Sequence, residues 1–356
     1  MPPPRPQRLV LLLAMAALMA ACRQPTDPLF TFSSDAPSRA GLVALEDGVL
    51  VGNEAGRFLR LDRQGTPLWR VELGREVAAR PAVSGETVLV GTVGGTLVSL
   101  ALADGSERWR LTGQPPVLTP LVLEAGSVYV VAPDGAVRAL AVGSGEVRWR
   151  RPLPSGVPRP DATRPQPAPV LAGGLLVVVL GDAGVFALSP QDGTVRWRQP
   201  LARVLGMEAQ GEVLYASTQK GEVLALGLAN GQVRWRQTPA SALSSPPAWA
   251  QGMVWVGTED KLLLALSPQD GREAIRLALP APLVTQAVEF REWVLVPTRD
   301  SQGWLLALKP REGPPVFTLR LDTPLLTRPV VLGDQLFVLG QDGRVLSWRL
   351  QPPKVR

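Results

Sequence analysis

Short apolar runs and glycine-containing turns repeat along this chain in a fixed order. Each copy ends in a Trp that is usually flanked by arginines, and these tryptophans lie 40, 40, 48 and 38 residues apart. They are Trp69, Trp109, Trp149, Trp197 and Trp235. Ile275 and Phe317 take the same place in two later copies. Apolar runs of a few residues bounded by turn residues predict β-strands, so the pattern predicts an all-β protein built from one repeated unit.

Each repeat contains the signals of four strands. Val88-Leu89-Val90-Gly91 illustrates the β-branched run that follows a Pro-Ala-Val-like segment and a glycine turn. A third strand ends in a small residue plus Leu, and an Asp-Gly or Asn-Gly pair then precedes the Trp-bearing strand. These pairs are Asp104-Gly105, Asp192-Gly193, Asn230-Gly231 and Asp270-Gly271. Such pairs accept positive φ, so they predict two-residue hairpin turns. Four strands in about 40 residues are typical of a β-propeller blade.

The number of copies predicts eight blades. The pair formed by the second and third strands occurs eight times, starting near Val49, Val88, Val128, Leu176, Val213, Met253, Val294 and Leu336. The Trp-type outer strand follows only seven of them, because the last copy ends at Ser347-Trp348-Arg349-Leu350. Leu29–Ser33 is a strand-like segment without a partner ahead of the first copy. We therefore expect this N-terminal strand to complete the last blade and close the ring, which leaves no open sheet edge.

The repeat, with its Gly-Thr, Ala-Leu, Asp-Gly and Trp-Arg elements, resembles the repeat of the PQQ-type propellers over roughly residues 29 to 351. The resemblance implies that Trp69, Trp109, Trp149, Trp197 and Trp235 dock against backbone of the neighbouring blade. The residue before the Leu of the third strand is small in seven copies and leaves room for an indole. These residues are Ser99, Ala139, Ala187, Ala225, Ala265, Ala307 and Ser347, whereas Arg60 stands there in the first blade.

Composition limits the chemistry. The chain of 356 residues has one Cys and no His, so a Ser-His-Asp or Cys-His catalytic arrangement is excluded. Zinc, copper and haem sites of the usual kind are not expected either. The formal charge is +6, but pairs of arginines flank the tryptophans and should face solvent on the outer strands. Composition alone leaves carboxylate or lysine chemistry open. These features predict no metal and no nucleic-acid partner, and the resemblance to a scaffold family described below implies no catalytic residues and no cofactor.

The first residues are typical of a secretory signal. Arg5 and Arg8 precede an apolar run of 13 residues, Leu9 to Ala21, which ends at Cys22. This run is shorter than the roughly 20 residues of a transmembrane helix. Leu18-Met19-Ala20-Ala21-Cys22 resembles the bacterial lipobox, in which the Cys is lipidated after cleavage, although Met19 stands where Leu is preferred. The alternative is an ordinary signal peptide with an incidental Cys.

The predicted organisation follows from these signals. Residues 1–21 are a lipoprotein signal peptide, 22–28 a lipidated tether, 29–351 an eight-bladed propeller and 352–356 a C-terminal tail. Arg23 after the Cys favours retention at the outer membrane, facing the periplasm, by the sorting rule of enteric bacteria.

Length, anchor, blade count and closure together resemble the family of the outer-membrane assembly factor BamB. The resemblance implies a non-catalytic scaffold that is a monomeric subunit of a complex. It also implies that the scaffold binds a BamA-like outer-membrane protein and helps unfolded barrel clients reach that protein. The family's partner-binding segment corresponds to the insertion Arg151 to Pro167. Arg164 matches the family Arg and Ala168-Pro169 the closing pair, whereas Asp161, Thr163 and Pro165 depart from it. The other interpretation of the insertion is a proline-stiffened surface loop.

Two alternatives remain open for function. The chain could be a PQQ-repeat lipoprotein that acts as a general binding module for another envelope protein or ligand. It could also be a relative of the PQQ-dependent dehydrogenases. Those enzymes are much longer and often carry a vicinal disulfide, which a chain with one Cys cannot form.

Overall fold

The predicted eight-bladed propeller is confirmed. The computed structural model describes residues 27–154, 166–311 and 313–350. Across these ranges 32 strands form eight four-stranded antiparallel sheets, and no helix occurs. Nothing in these ranges therefore provides a helix of the length and apolarity needed to cross a bilayer.

The strands follow the chain in groups of four after one leading strand. The leading strand and the first four blades comprise β1 (Phe30–Ser33); β2 (Val43–Leu45), β3 (Gly48–Gly52), β4 (Arg57–Asp62), β5 (Pro67–Glu72); β6 (Ala82–Ser84), β7 (Thr87–Gly91), β8 (Leu97–Ala101), β9 (Glu107–Leu111); β10 (Val122–Glu124), β11 (Ser127–Val131), β12 (Ala136–Ala141), β13 (Val147–Pro152); β14 (Val170–Ala172), β15 (Leu175–Val179), β16 (Val185–Leu188), β17 (Val195–Gln199).

The other four blades comprise β18 (Val204–Gln210), β19 (Val213–Thr218), β20 (Val223–Gly227), β21 (Val233–Gln237); β22 (Ala248–Ala250), β23 (Met253–Gly257), β24 (Leu262–Leu266), β25 (Glu273–Ala278); β26 (Val288–Phe290), β27 (Trp293–Pro297), β28 (Trp304–Leu308), β29 (Phe317–Arg320); β30 (Val330–Leu332), β31 (Gln335–Leu339), β32 (Arg344–Arg349).

The last blade closes the ring as predicted. Its strand order is β1-β32-β31-β30, so the N-terminal strand is its outer strand. The register pairs Phe30 with Ser347 and Phe32 with Val345, and the Leu29 amide extends the ladder to the Ser347 carbonyl. First strands of neighbouring blades contact one another, so the first strand of each blade is the innermost and borders the central channel.

Burial changes from the second strand of a blade to the fourth. In β3, β7 and β11 every residue is buried, because each blade packs between two neighbours. A strand covered on both faces has a continuous apolar run rather than an alternating one. The outer strands β17 and β21 instead expose most residues and bury the Trp. This asymmetry accounts for the apolar runs and the Arg-Trp-Arg pattern of one repeat.

The hydrophobic core consists of layers between blades. One layer joins the last and first blades through Val51 and Leu61 on one side and Phe337 and Val345 on the other. All four side chains are fully buried, and burial of such side chains stabilises a fold by about 1.5–3 kcal/mol each. The junction where the ring closes is therefore packed with side chains as apolar as those of the other layers.

The prediction of two-residue hairpin turns at the Asp-Gly and Asn-Gly pairs is wrong in length. In the second blade the Ala101 amide bonds the Ser106 carbonyl and the Gly105 amide bonds the Ala101 carbonyl, so residues 102–105 form a four-residue turn. A register shift accompanies it in the pair β8 and β9 that this turn connects. Gly105 does have a positive φ of 72°. The longer turn extends toward the preceding blade, where its carbonyls and its glycine meet a Trp.

Candidate functional site

The five predicted tryptophans occupy five separate blade junctions. Each donates from Nε1 to a backbone carbonyl of the next blade, at 2.8 to 2.9 Å. The acceptors for Trp69, Trp109, Trp149, Trp197 and Trp235 are Leu102, Val142, Pro190, Leu228 and Pro268, respectively. These side chains therefore link blades and do not converge on one site.

Each indole also covers the turn glycine of the next blade. A Cβ on these glycines would lie 2.6 to 3.1 Å from the nearest indole atom, closer than nearly all Cβ atoms lie to a packed neighbour. The glycines are Gly105, Gly145, Gly193, Gly231 and Gly271. At the ring closure Phe30 takes the same place, because a Cβ on Gly65 would lie 2.4 Å from its ring. Glycine is therefore required here by close packing as well as by positive φ.

The small residues of the third strands lie directly opposite the docked side chains. Ser99 pairs with Trp109, Ala139 with Trp149, and Ser347 with Phe30. Arg60, the exception, pairs with Trp69. Its guanidinium leaves the layer toward Asp47, 2.7 Å away.

The arginines that flank the tryptophans face solvent, as predicted. All of the following are exposed: Arg108, Arg110, Arg148, Arg150, Arg196, Arg198, Arg234 and Arg236. Several bond to groups nearby on the same blade, as Arg110 does with Glu107 at 2.7 Å and Arg148 with the Ser127 hydroxyl at 2.6 Å. Much of the positive charge is thus spread around the outer rim.

The central channel contains a cavity of about 460 Å³, lined by residues of all eight blades. One repeat position, two residues ahead of the innermost strand or its equivalent in β18, faces the cavity in every blade. The residues at this position, called the channel ring below, are Gly41, Arg80, Pro120, Ala168, Gly206, Pro246, Gln286 and Arg328. Five of the eight are glycine, alanine or proline, so three long polar side chains determine the chemistry of the ring.

Glu208 adds a carboxylate to this polar group. It lies on β18, and the Gln286 amide donates to its Oε2 at 3.2 Å. Burial raises the pKa of the Glu208 carboxyl, and the positive charges of Arg328 and Arg80 oppose that rise. Burial also lowers the pKa of Arg80, helped by repulsion from Arg328. Although protein surrounds Arg80, its side chain is exposed to the water of the channel.

The predicted lipid-attachment and partner residues cannot be located. Cys22 and Arg164 both lie outside the described residues. The last two residues of the insertion, Gln166 and Pro167, and the next residue, Ala168, line the channel cavity. Within the described ranges no three His, Cys, Asp or Glu side chains come together in a way that could hold a metal ion.

The sequence patterns did not predict the channel group, which consists of Arg80, Glu208, Gln286 and Arg328. The signal was available, because Arg80-Pro81-Ala82 and Arg328-Pro329-Val330 stand at the same place in two repeats. An alignment of the repeats on their inner strands isolates this position and shows that most copies carry a small residue or proline there.

Comparison with solved structures supports the fold over nearly the whole chain. The crystal structure of BamB from Moraxella catarrhalis superposes with a TM-score of 0.76 and covers 91% of this chain and 99% of that chain. The sequence identity is 17%, so this likeness concerns the fold alone.

Sequence comparison finds curated relatives that share parts of the chain. The outer membrane protein assembly factor BamB of Shewanella oneidensis is 28% identical over 120 residues, which are 32% of this chain and 30% of the relative. That of Burkholderia pseudomallei is 32% identical over 108 residues, 30% of this chain and 28% of the relative. The matched segments thus span less than a third of either relative.

A family model covers more of the sequence. The model described as outer membrane protein assembly factor BamB matches residues 54–209 and 203–289. These residues make up well over half of the chain and comprise most of the first six blades. The chain therefore belongs to the BamB family of PQQ-repeat β-propellers.

Proposed function

We propose that this protein is a non-catalytic, lipid-anchored scaffold that binds a BamA-type barrel-insertion protein and aids outer-membrane protein assembly. The observation that carries the proposal is the family match over residues 54–289, on a fold that superposes on a BamB crystal structure along nearly its whole length. The absence of His from the sequence agrees with a binding role.

The N-terminus supports attachment to a membrane. Cys22 is the only Cys of the chain and follows an apolar run. Residues 22–28 would form a tether of at most about 25 Å when fully extended, directly before the strand that closes the ring. Lipid on Cys22 would therefore hold the propeller close to the membrane surface, where a barrel-insertion protein resides.

The insertion before the fourth blade supports a site for the partner. It joins β13 to β14, and its last residues, Gln166 and Pro167, line the channel cavity. Loops between blades of a rigid scaffold are common binding surfaces. Arg164 carries five possible hydrogen-bond donors, a suitable anchor for partner carboxylates or carbonyls.

Affinity capture from the native envelope tests the partner. The lipidated protein should recover a BamA-like barrel protein, identified by mass spectrometry. Arg164→Ala should lower this recovery severalfold, whereas Arg159→Ala, in the same insertion, should not. Recovery of a different envelope protein, with both variants behaving like wild type, would instead support the general binding module.

The anchor is tested separately by metabolic labelling with palmitate. The wild-type chain should incorporate label and sediment with membranes. The Cys22→Ala variant should incorporate none. Labelling of that variant, or an unlabelled wild-type chain, would contradict lipid attachment at Cys22.

A further inference from the structure

The channel ring contains two arginines, Arg80 and Arg328. Neither the Arg80 nor the Arg328 side chain makes a hydrogen bond or an ion pair within the described ranges. Arg39, which lines the same cavity, differs because it pairs with Glu76 at 2.6 Å. Arg80 is exposed and Arg328 is partly buried, and both line the cavity, so their guanidinium donors are available to a ligand in the channel.

The two arginines line the same side of the cavity. They occupy equivalent positions of the eighth and second blades, on either side of Gly41 in the first blade. A Cβ on Gly41 would lie 3.9 Å from Cδ of Arg80 and 3.8 Å from Cβ of Thr327. The ring position between the two arginines therefore carries no side chain. An anion bound there would relieve the repulsion between Arg80 and Arg328.

The opposite side of the ring supplies different chemistry. Gln286 on the seventh blade donates a hydrogen bond to Glu208 on the fifth blade. This single carboxylate cannot neutralise the guanidiniums of both Arg80 and Arg328. A guanidinium binds carboxylate and phosphate oxygens in a bidentate fork. The cavity of about 460 Å³ has the volume of a small-molecule site. A folded partner is too large to enter it.

We propose that the central channel binds a small oxyanion, a carboxylate or a phosphate, between Arg80 and Arg328. Gln286 contacts its remaining polar groups from the other side, and the Glu208 carboxylate that Gln286 bonds opposes the negative charge of the ligand. Arg80 and Arg328 belong to the second and eighth blades, whereas the insertion joins the third and fourth blades. The anion site is therefore proposed independently of the barrel-insertion partner.

Calorimetric titration of the detergent-solubilised full chain tests this site, with citrate and inorganic phosphate as separate probes and glucose as a neutral control. We expect saturable binding of at least one anion and none of glucose. Binding by citrate but not phosphate identifies a carboxylate site, and the reverse identifies a phosphate site. Absence of binding by both anions overturns the proposal.

Two kinds of variant assign the binding to the ring. Arg80→Gln and Arg328→Gln should each weaken binding at least tenfold, whereas Arg272→Gln on the exposed rim should leave it unchanged. Glu208→Gln should strengthen it severalfold, because it removes the opposing charge. A misfolded variant cannot produce such a gain. Equal binding by wild type and all four variants would show that the anion binds elsewhere and would contradict the site.

Discussion

Arg60 and Trp69 donate hydrogen bonds to the same backbone oxygen, the carbonyl of Leu102 in the next blade. Arg60 Nη1 lies 2.6 Å from it and Trp69 Nε1 lies 2.8 Å from it. The two residues are also cross-strand partners. Arg60 breaks the small-residue pattern of its position, but its long side chain leaves the layer and duplicates the contact that the Trp makes.

This duplication predicts unequal costs for the same substitution at two junctions. Trp109 is the single donor to the Val142 carbonyl within the described part of the chain, so Trp109→Phe leaves that acceptor unpaired. An unpaired buried acceptor costs about 1–3 kcal/mol. In Trp69→Phe the Leu102 carbonyl still accepts the hydrogen bond from Arg60. We expect Trp109→Phe to lose about 1 kcal/mol more unfolding free energy than Trp69→Phe, measured by urea unfolding.

The double variant Arg60→Ala/Trp69→Phe is the control. With both donors gone, its loss should exceed the sum of the two single losses. Equal stability of Trp69→Phe and Trp109→Phe would show that the indole donor contributes little and that the apolar contact with glycine dominates.

The sequence predicted the blades because their determinants are local and repeated. The strand number follows from an apolar run, a glycine turn and a Trp that recur at constant spacing. Each Trp contacts a glycine that lies about one repeat later in the sequence. It did not predict the turn length, because the extension of residues 102–105 is determined by the indole of another blade. Nor did it predict the channel group, since Arg80, Glu208 and Arg328 are far apart in sequence and meet only when the ring closes.

Ser99 and Ser347 occupy the same repeat position, but we expect their alanine variants to change stability in opposite directions. Ser99 is fully buried and its hydroxyl finds no partner within the described residues. The Ser347 hydroxyl donates to the Leu336 carbonyl at 2.9 Å and accepts from the Gln335 amide at 2.8 Å. Ser99→Ala should raise the unfolding free energy by about 1 kcal/mol, and Ser347→Ala should lower it by about 1–2 kcal/mol. Thermal melts of the two variants check the sign, and a loss on Ser99→Ala would contradict the assignment.

The ring closure predicts a steric effect at Gly65. Its φ is +82°, and a Cβ would lie 2.4 Å from the Phe30 ring, whereas Gly74 has a φ of +76° and open space around it. Gly74→Ala should cost only the backbone strain, about 1–2 kcal/mol. Gly65→Ala should cost about 1–3 kcal/mol more, because Phe30 must move.

Non-additivity separates the clash from other effects. If Gly65→Ala acts by displacing Phe30, then adding it to a Phe30→Ala chain should cost no more than Gly74→Ala costs. Displacement of β1 also exposes the edge of β32, so Gly65→Ala should increase association in light scattering. Additive losses in the double variant would place the strain elsewhere.

Glu208 predicts a stability that depends on pH. Its folded pKa lies above the ordinary value because burial outweighs the attraction of Arg328 and Arg80, so its ionised form is disfavoured in the fold. The protonated carboxyl stabilises the fold fully below the unfolded pKa of about 4.3, and this stabilisation is lost as pH rises through the folded pKa.

The Glu208→Gln variant does not carry the cost of burying an ionised carboxylate. In anion-free buffer the variant should melt above wild type at pH 7 to 8, and the two should converge near pH 4. Glu212→Gln, on a fully solvated carboxylate, should show no such trend, and a Glu208→Gln variant less stable than wild type at pH 8 would mean that the arginines outweigh burial.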